Sequence, residues 1–495
     1  MSSVADSEPG RMEAHEFAEL QDQLQEQGIR VCLSDGSECP DGALMHDRAA
    51  VIPTMTISPK DEREVQIILR TLKRLKLYEQ VEVSVKSGGH GYFNGATCND
   101  IMIDLSLMDK RKIQSDILDV EPGCVLGQTI HVLHESQRVV PHGDCFGVGV
   151  GGHFLTAGWD ILLTRLYGLG CQAVIGGRIV LWDGTIMEVD ENNHPDVLHT
   201  MRGGAAAGIG IVTKVRLRLE QEPAQVTWCF ASISRKQLQG ILVPKCTFSR
   251  AMALPKDISV SFRFYYEPGQ AFPTCSFNVV SLLSIGDTRA RIVGDLGPEA
   301  ASLIFNGQWQ QGSVLDFRML PATQSLIDNP DELRDMTPHK LHNNPHEFWQ
   351  TKWCAREMGR SYQACVSQWV KTHCESMFLC LYAAFESAQG SPCRERMSAL
   401  VILGGGKMRE KDCAMPLGHA LARFEQHWDT PEEEQPCRAI TKQVCDIIEE
   451  YKDSTPGRPY RGDIWLLDQA DDEALDRTLR KYDTRQVVDG RALSN

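Results

Sequence analysis

Three glycine-rich stretches carry the side chains and bare backbone best suited to chemistry. The first, Lys86-Ser87-Gly88-Gly89-His90-Gly91-Tyr92, follows directly on an alternating run. Adjacent glycines let backbone amides come close to an anion such as a pyrophosphate. A histidine in such a turn, taken alone, is more often a surface or capping residue than a ligand. The second is His142-Gly143-Asp144-Cys145-Phe146-Gly147-Val148-Gly149-Val150-Gly151-Gly152-His153. So many glycines predict a loop over 143–158, packed against something that excludes side chains. It lacks the strand and acidic residue of a Rossmann fingerprint. Cys145 alone reads as an inert or buried thiol. The third, Met201-Arg202-Gly203-Gly204-Ala205-Ala206-Ala207-Gly208-Ile209-Gly210-Ile211-Val212-Thr213, reads as a tight helix–strand turn entering a strand.

The elements that must position these loops alternate between helix and strand. Leu20 and Leu24 suggest a helix over 17–27. A short strand closed by Pro53 is expected over 49–53. Ser58 and Pro59, followed by acids, predict a helix N-cap and first turn there. Val65, Ile68, Leu69, Leu72 and Leu75 continue it at helical spacing. Period-two runs predict strands over 81–85, 101–105, 117–120, 173–180, 186–189 and 211–219, with a helix over 125–137. From about 225 to 450 the texture changes. Apolar runs over 260–266, 277–283, 302–305, 378–385 and 399–403 predict an antiparallel sheet with helices on one face.

The chain has 495 residues, which suggests more than one domain. Its formal charge is −15, and no basic cluster is present, which argues against nucleic acid as a partner. No apolar run is long enough for a transmembrane helix. The opening MSSVADSEPGRM has no signal-peptide pattern, and no Asn-x-Ser/Thr acceptor occurs. With 17 scattered cysteines, the expectation is a cytoplasmic protein with reduced thiols. Cys32 and Cys39 are therefore expected as free thiols. His131 and His134 lie three apart on a helix without a third ligand, so they read as a surface pair and no metal is expected.

In this order and spacing, the three glycine stretches resemble the berberine-bridge-enzyme-like group of FAD-linked oxidoreductases, whose FAD-binding domain is of the vanillyl-alcohol-oxidase type. Ser87-Gly88-Gly89-His90 matches the loop whose histidine bonds the flavin 8α-methyl. Cys145, eight residues before His153 in a Cys-x-x-Val-Gly-Val-Gly-Gly-His frame, matches the cysteine that some members link to flavin C6. The resemblance implies FAD, covalent through His90 and also through Cys145 in the doubly linked case. It places cofactor contacts at Ser87, Gly88, Gly89, His90, Gly91, Cys145, Gly149, Gly151, Gly152, His153, Gly210, Ile211 and Val212. Phe305-Asn306-Gly307-Gln308-Trp309 looks like a central strand of the family's substrate domain. Gly404-Gly405-Gly406-Lys407-Met408 with Met415-Pro416-Leu417-Gly418-His419 looks like a second. Lys481-Tyr482-Asp483 resembles its closing segment. Departures occur at Phe146-Gly147, Gln172-Ala173 and Thr484, where the family more often carries Pro-Thr, Asp-Asn and proline.

The expected fold is α+β: a two-part FAD-binding domain and a substrate domain whose antiparallel sheet is covered by helices. The boundaries read as a lead-in over 1–44, the FAD domain over 45–222, the substrate domain over 223–455 and a returning segment over 456–495. The resemblance implies hydride transfer from a small or medium organic substrate, such as a biosynthetic intermediate, to flavin N5, with O2 giving hydrogen peroxide. Its alternatives are a flavin-containing cyclase without net oxidation and a non-catalytic binding protein. Relatives take a glutamate or tyrosine as base, which makes Tyr460, Glu410 and Asp412 the candidates here. Glu410 and Asp412 are expected on one side of a strand. No membrane or nucleic-acid partner is expected, and the protein should be a monomer or weak homodimer.

Overall fold

The computed structural model describes residues 17–34, 48, 50–91, 95–337, 340, 361–415, 417–453 and 473–485. The fold is mixed α+β, with three main sheets in chain order.

The first sheet holds Arg30–Leu33, Met55–Ser58, Ile101–Asp104 and Val83–Lys86, in that spatial order. Its first pair is antiparallel and the others are parallel. The strand expected over 49–53 lies instead at Met55–Ser58, beyond Pro53. Proline has no N–H for a ladder, so pairing starts only after it. Ser58 ends that strand rather than capping the next helix. The cap is Asp61, whose carboxylate accepts the Glu64 N–H at 2.9 Å ahead of helix Glu62–Arg74. Acids in the first turn and Lys73 and Arg74 in the last complement the helix dipole. Its buried face is Val65, Ile68, Leu69 and Leu72.

The second sheet is antiparallel, ordered Arg111–Gln114, Ile117–Val120, Gly210–Arg218, Val174–Leu181 and Ile186–Asp190. Alternate residues of its inner strands enter two different cores. Val180 and Ile211 join the helix Glu62–Arg74 and the first sheet. Ile179 and Val212 join the helices Val150–Thr156 and Pro195–Met201.

The third sheet has seven antiparallel strands: Gln308–Gly312, Val226–Ile233, Thr274–Ser281, Ile258–Tyr265, Met397–Leu403, Ala420–Trp428 and Tyr362–Val370. One face is apolar, with Phe262, Phe264, Phe277, Val401 and Phe424 packed under helices such as Glu375–Ser387 and Glu434–Glu450. Two runs expected as strands, 302–305 and 378–385, are helical: they lie in Pro298–Phe305 and Glu375–Ser387. Short apolar runs do not distinguish a buried helix from a strand. The Phe305–Trp309 motif also departs from expectation. Phe305 ends a helix, and Gln308–Gly312 is an edge strand rather than a central one.

The C-terminal Lys481-Tyr482-Asp483 lies at the end of a helix, Glu473–Tyr482, not in a strand. It docks beside the second sheet. Lys481 pairs with Asp196 at 2.9 Å, and the Thr484 hydroxyl accepts the Asp183 N–H at 2.9 Å. His131 is buried rather than superficial, with Glu135 and Asp331 carboxylates at 3.3 and 3.2 Å. No group of residues suited to a metal occurs among the described residues, nor a helix long and apolar enough to cross a membrane.

Candidate active site

The Ser87–His90 loop leaves the first sheet on a buried foundation. Lys86, the last residue of its strand, pairs with Asp104 of the neighbouring strand at 2.8 Å, both deeply buried. Gly89 then turns the chain with a φ of 69°, a conformation costly for any residue with a Cβ. The loop packs backbone to backbone against the second glycine stretch. A Cβ on Gly149 would collide with Gly88 N and the Ser87 hydroxyl, and one on Gly88 would come within 2.7 Å of Gly149 Cα. Ser87 donates to the Pro122 carbonyl and accepts the Gly151 N–H at 3.2 Å. Gly88 and Gly149 are therefore needed to join one loop to the other. Gly149→Ala should cost about 1–3 kcal/mol by forcing the loops apart. A fall in thermal midpoint would show it.

The second stretch is not loop throughout. Gly151 and Gly152 open a short helix, Val150–Thr156, with Gly149 as its N-cap. Glycine costs helix stability, but here the close approach of Ser87 and Pro122 to Gly151 leaves no room for a side chain. Gly152 faces open space, with no heavy atom near its would-be Cβ, and so does Gly208 in the third stretch. Gly91 is exposed just after His90.

Three histidines and an arginine set the electrostatics. His153 Nε2 accepts the Gly143 N–H at 3.1 Å, so the ring is neutral with its proton on Nδ1. His142 Nδ1 donates to the Gly143 carbonyl at 2.7 Å. Arg318 is fully buried beside them, donating to the His142 carbonyl at 3.1 Å and to Asp144 at 2.8 Å, and pairing with the buried Asp160 at 2.5 Å. Burial first, then the Arg318 charge, pushes His153 down to about 4 and His142 well below its usual range. His90 falls to about 3 through burial, then through the charge of Arg423, with a smaller push from His153. Asp144 is half exposed to solvent, yet burial raises its carboxyl.

These histidines predict an acid response. Unfolded rings take up protons as the pH drops below about 6.5, while the folded His153 and His90 resist until about 4 and 3. The unfolded state then binds more protons, so stability is full above about 6.5 and declines toward those lower values. Each ring contributes at most about 1.4 kcal/mol per pH unit, and the raised Asp144 offsets part of it. Denaturant midpoints at pH 7 and pH 5 measure the difference.

Opposite His90 stands the second face of the seven-stranded sheet. Cross-strand register puts Arg423 level with Ser367 and Leu400, and Glu425 level with Cys365 and Ser398. Arg423 and Glu425 form an ion pair. Ser367, Glu425, Ser398 and Gln363 are all buried although polar. This polar, enclosed face is what the sequence reading missed. Its signal was present in the alternation of Ala420–Trp428, whose Leu421, Arg423, Glu425 and His427 share one side of the strand. Trp159 packs with its ring 6.0 Å from Trp369. Its buried indole N–H has no acceptor among the described residues. A glycine-lined cradle, a neutral imidazole and a buried donor fit a flat, polar-edged cofactor such as FAD.

Two of the three residues expected to act as base, Glu410 and Asp412, lie elsewhere. Tyr460 is outside the described residues. Glu410 and Asp412 are not on a strand: Gly406–Arg409 is a 3-10 turn, and both acids follow it in the loop before Ala420–Trp428. Three glycines at 404–406, two of them with positive φ, break the extended run. Glu410 is exposed and paired with Lys256 at 2.5 Å, and that pairing lowers its carboxyl. Asp412 is exposed and meets His199 at 2.9 Å and Arg202 at 3.4 Å. Among the expected cofactor contacts, Ser87, Gly88, Gly149 and Gly151 meet directly. Cys145 packs on a separate apolar cluster with Val125 and Met319. Gly210, Ile211 and Val212 run through the second sheet paired to Leu181, Val180 and Ile179. The side chains of Ile211 and Val212 are buried in its two cores.

Residues 53–190, which span both glycine loops, match the family described as "FAD binding domain". This part of the chain is similar to an FAD-binding domain. Among curated proteins, a carbohydrate oxidase of Microdochium nivale is 32% identical over 187 residues, 36% of this chain and 37% of that protein. Berberine bridge enzyme-like 23 of Arabidopsis thaliana is 31% identical over 186 residues, 36% of this chain and 34% of that protein. These matches thus span about a third of each relative's length. The fold extends further. A solved chitooligosaccharide oxidase superposes with a TM-score of 0.73 at 16% identity, over 94% of this chain and 97% of that one. Physcomitrella patens BBE-like 1 gives 0.71 at 16% identity, over 96% and 99%. The FAD-binding domain, these relatives and these neighbours are consistent with the berberine-bridge-enzyme-like family, and the three-sheet fold is the fold of that group.

Proposed function

We propose that the protein is an FAD-dependent oxidase of a small or medium organic substrate, held between the glycine loops and the polar sheet face. The observation that carries this reading is the mutual packing of the Ser87–His90 and Gly147–Gly151 loops, which sets a neutral His90 opposite the Arg423–Glu425 pair. Bound there, FAD would supply the hydride acceptor and the route by which electrons reach O2 to give hydrogen peroxide. His90 holds the cofactor covalently, its uncharged ring being the nucleophilic form at neutral pH. Cys145 packs in the separate apolar cluster with Val125 and Met319, so the proposed attachment rests on His90 alone. The buried hydroxyls and amide of the sheet face suit a substrate bearing several hydroxyl groups, as the names of several relatives suggest.

Arg423 holds Glu425 in that face, and Glu425 takes the proton as hydride leaves the substrate carbon. Glu410 and Asp412 stay with their surface partners. Glu425→Gln should lower kcat by about 10²–10⁴-fold, whereas Glu410→Gln should leave it unchanged. The decisive experiment adds candidate sugars, alcohols and amines anaerobically to the purified yellow protein and follows flavin absorbance. Bleaching by one class, restored by air with release of peroxide, supports an oxidase. A colourless protein, or product formed with no bleaching, overturns it.

A further inference from the structure

Two thiols face each other outside the cofactor cradle. Cys171 lies in the turn Gly170–Ala173, just before a strand of the second sheet. Cys413 lies in the loop joining Met397–Leu403 to Ala420–Trp428 of the third sheet, far away in sequence. Their sulfurs stand 3.7 Å apart, near enough for a bond after a small rotation of either side chain. Both belong to one apolar cluster with Leu169, Met408 and Met415. Gly203 makes room: with a φ of 100°, its would-be Cβ would press on Cys413 Sγ at 3.0 Å.

The surroundings already fasten this loop to the second sheet's turn. Gln172 donates to the carbonyls of Met408 at 2.7 Å and Lys411 at 3.0 Å. The Ala414 N–H donates to the Arg202 carbonyl at 2.7 Å. The sulfurs are therefore held in register by contacts that do not involve them. They also differ in access. Cys171 is fully buried, while Cys413 is half-buried and its sulfur accepts the Met415 N–H at 3.3 Å. Its greater access makes Cys413 the thiol to meet an oxidant first.

We infer that Cys171 and Cys413 are a peroxide-responsive pair that closes into a disulfide and locks the 404–415 loop onto the second sheet's turn. The Cys413 thiolate attacks one oxygen of hydrogen peroxide; the O–O bond breaks, giving a sulfenic acid and, with a proton, water. Cys171 then attacks the Cys413 sulfur, the S–O bond breaks, and a second water leaves with the thiol proton. Two thiols are oxidised and one peroxide is reduced to two waters. The product of the proposed oxidase reaction is such an oxidant, but the pair's chemistry does not depend on that reading, because the peroxide can be added.

The test treats the purified holoprotein with hydrogen peroxide, alkylates the remaining thiols and maps peptides by mass spectrometry without reduction. The expected result is a Cys171 peptide joined to a Cys413 peptide, lighter by two hydrogens than their sum and separated again by dithiothreitol. The thermal midpoint should rise by several degrees on oxidation, and should not move in Cys413→Ser or Cys171→Ser. In Cys171→Ser, dimedone should trap Cys413 as sulfenic acid. Cys393 and Cys437 are a second adjacent pair with both members fully buried, and they should remain thiols at the same dose. Recovery of Cys171 and Cys413 as alkylated thiols, Cys413 driven to sulfinic acid without a cross-link, or equal cross-linking of Cys393 to Cys437 would overturn the inference.

Discussion

His90→Ala should give a protein from which acid precipitation strips the flavin, leaving a colourless pellet, while the parent pellet stays yellow. In the parent the proposed covalent bond would make every other contact of the cofactor intramolecular, and removing it would return binding to ordinary equilibrium. Flavin recovered per chain after gel filtration should fall by roughly tenfold or more. The loop itself should survive, because Lys86–Asp104 and the Ser87 hydrogen bonds anchor it independently of His90. An unchanged thermal midpoint of the flavin-free protein, set beside lost colour, would separate loss of attachment from misfolding. A yellow pellet from the variant would place the covalent bond elsewhere, and peptide mapping of Cys145 would then be the next measurement.

The second large effect concerns Arg318. Its side chain is 2% exposed and serves Asp160, at 0%, together with Asp144. Arg318→Met should destabilise by about 3–5 kcal/mol, because it strands a buried carboxylate without its counter-charge. The thermal midpoint should fall on the order of 10 °C. Pairing the change with Asp160→Asn should recover part of the loss, since the orphaned charge goes with it. The same substitution also removes a charge that helps to keep His153 and His142 neutral. His153 should then titrate nearer its ordinary range, and its ring resonances followed against pH would show the move. A midpoint within 2 °C of the parent, on the scale of ~2–4 °C per kcal/mol, would mean that water rather than Arg318 satisfies Asp160.

Local signals carried the FAD-binding half well. Strands such as Ile117–Val120 and Gly210–Arg218 alternate cleanly, and helix Leu126–Glu135 has its periodic apolar face. They were legible because each is read within its own few residues. The misplaced elements share a cause. Helix Pro298–Phe305 and helix Glu375–Ser387 bury much of their circumference beneath a sheet. A segment buried nearly all round loses the polar stripe that would mark it as helical. The Gly404–Gly406 stretch misled in the opposite direction. Its positive φ values bend the chain into a turn, so Glu410 and Asp412 point to surface cations.

The sequence by itself determined where the two glycine loops would meet. Ser87, Gly88, Gly149 and Gly151 are glycines and a hydroxyl because two backbones must touch there, and that demand is written into residue type. His90 stood out only through the resemblance that the three loops carry together, because a histidine in a glycine turn is by itself more often a surface residue. Only the tertiary structure decided what His90 faces. Arg423 and Glu425 are more than 300 residues further along, and they come opposite it because one strand among seven pairs in a particular register. A shift of one residue would turn both into the opposite, helix-covered core. Register is fixed by the whole sheet and its packing, so the polar face that Arg423 and Glu425 share could not be read from their own neighbourhood.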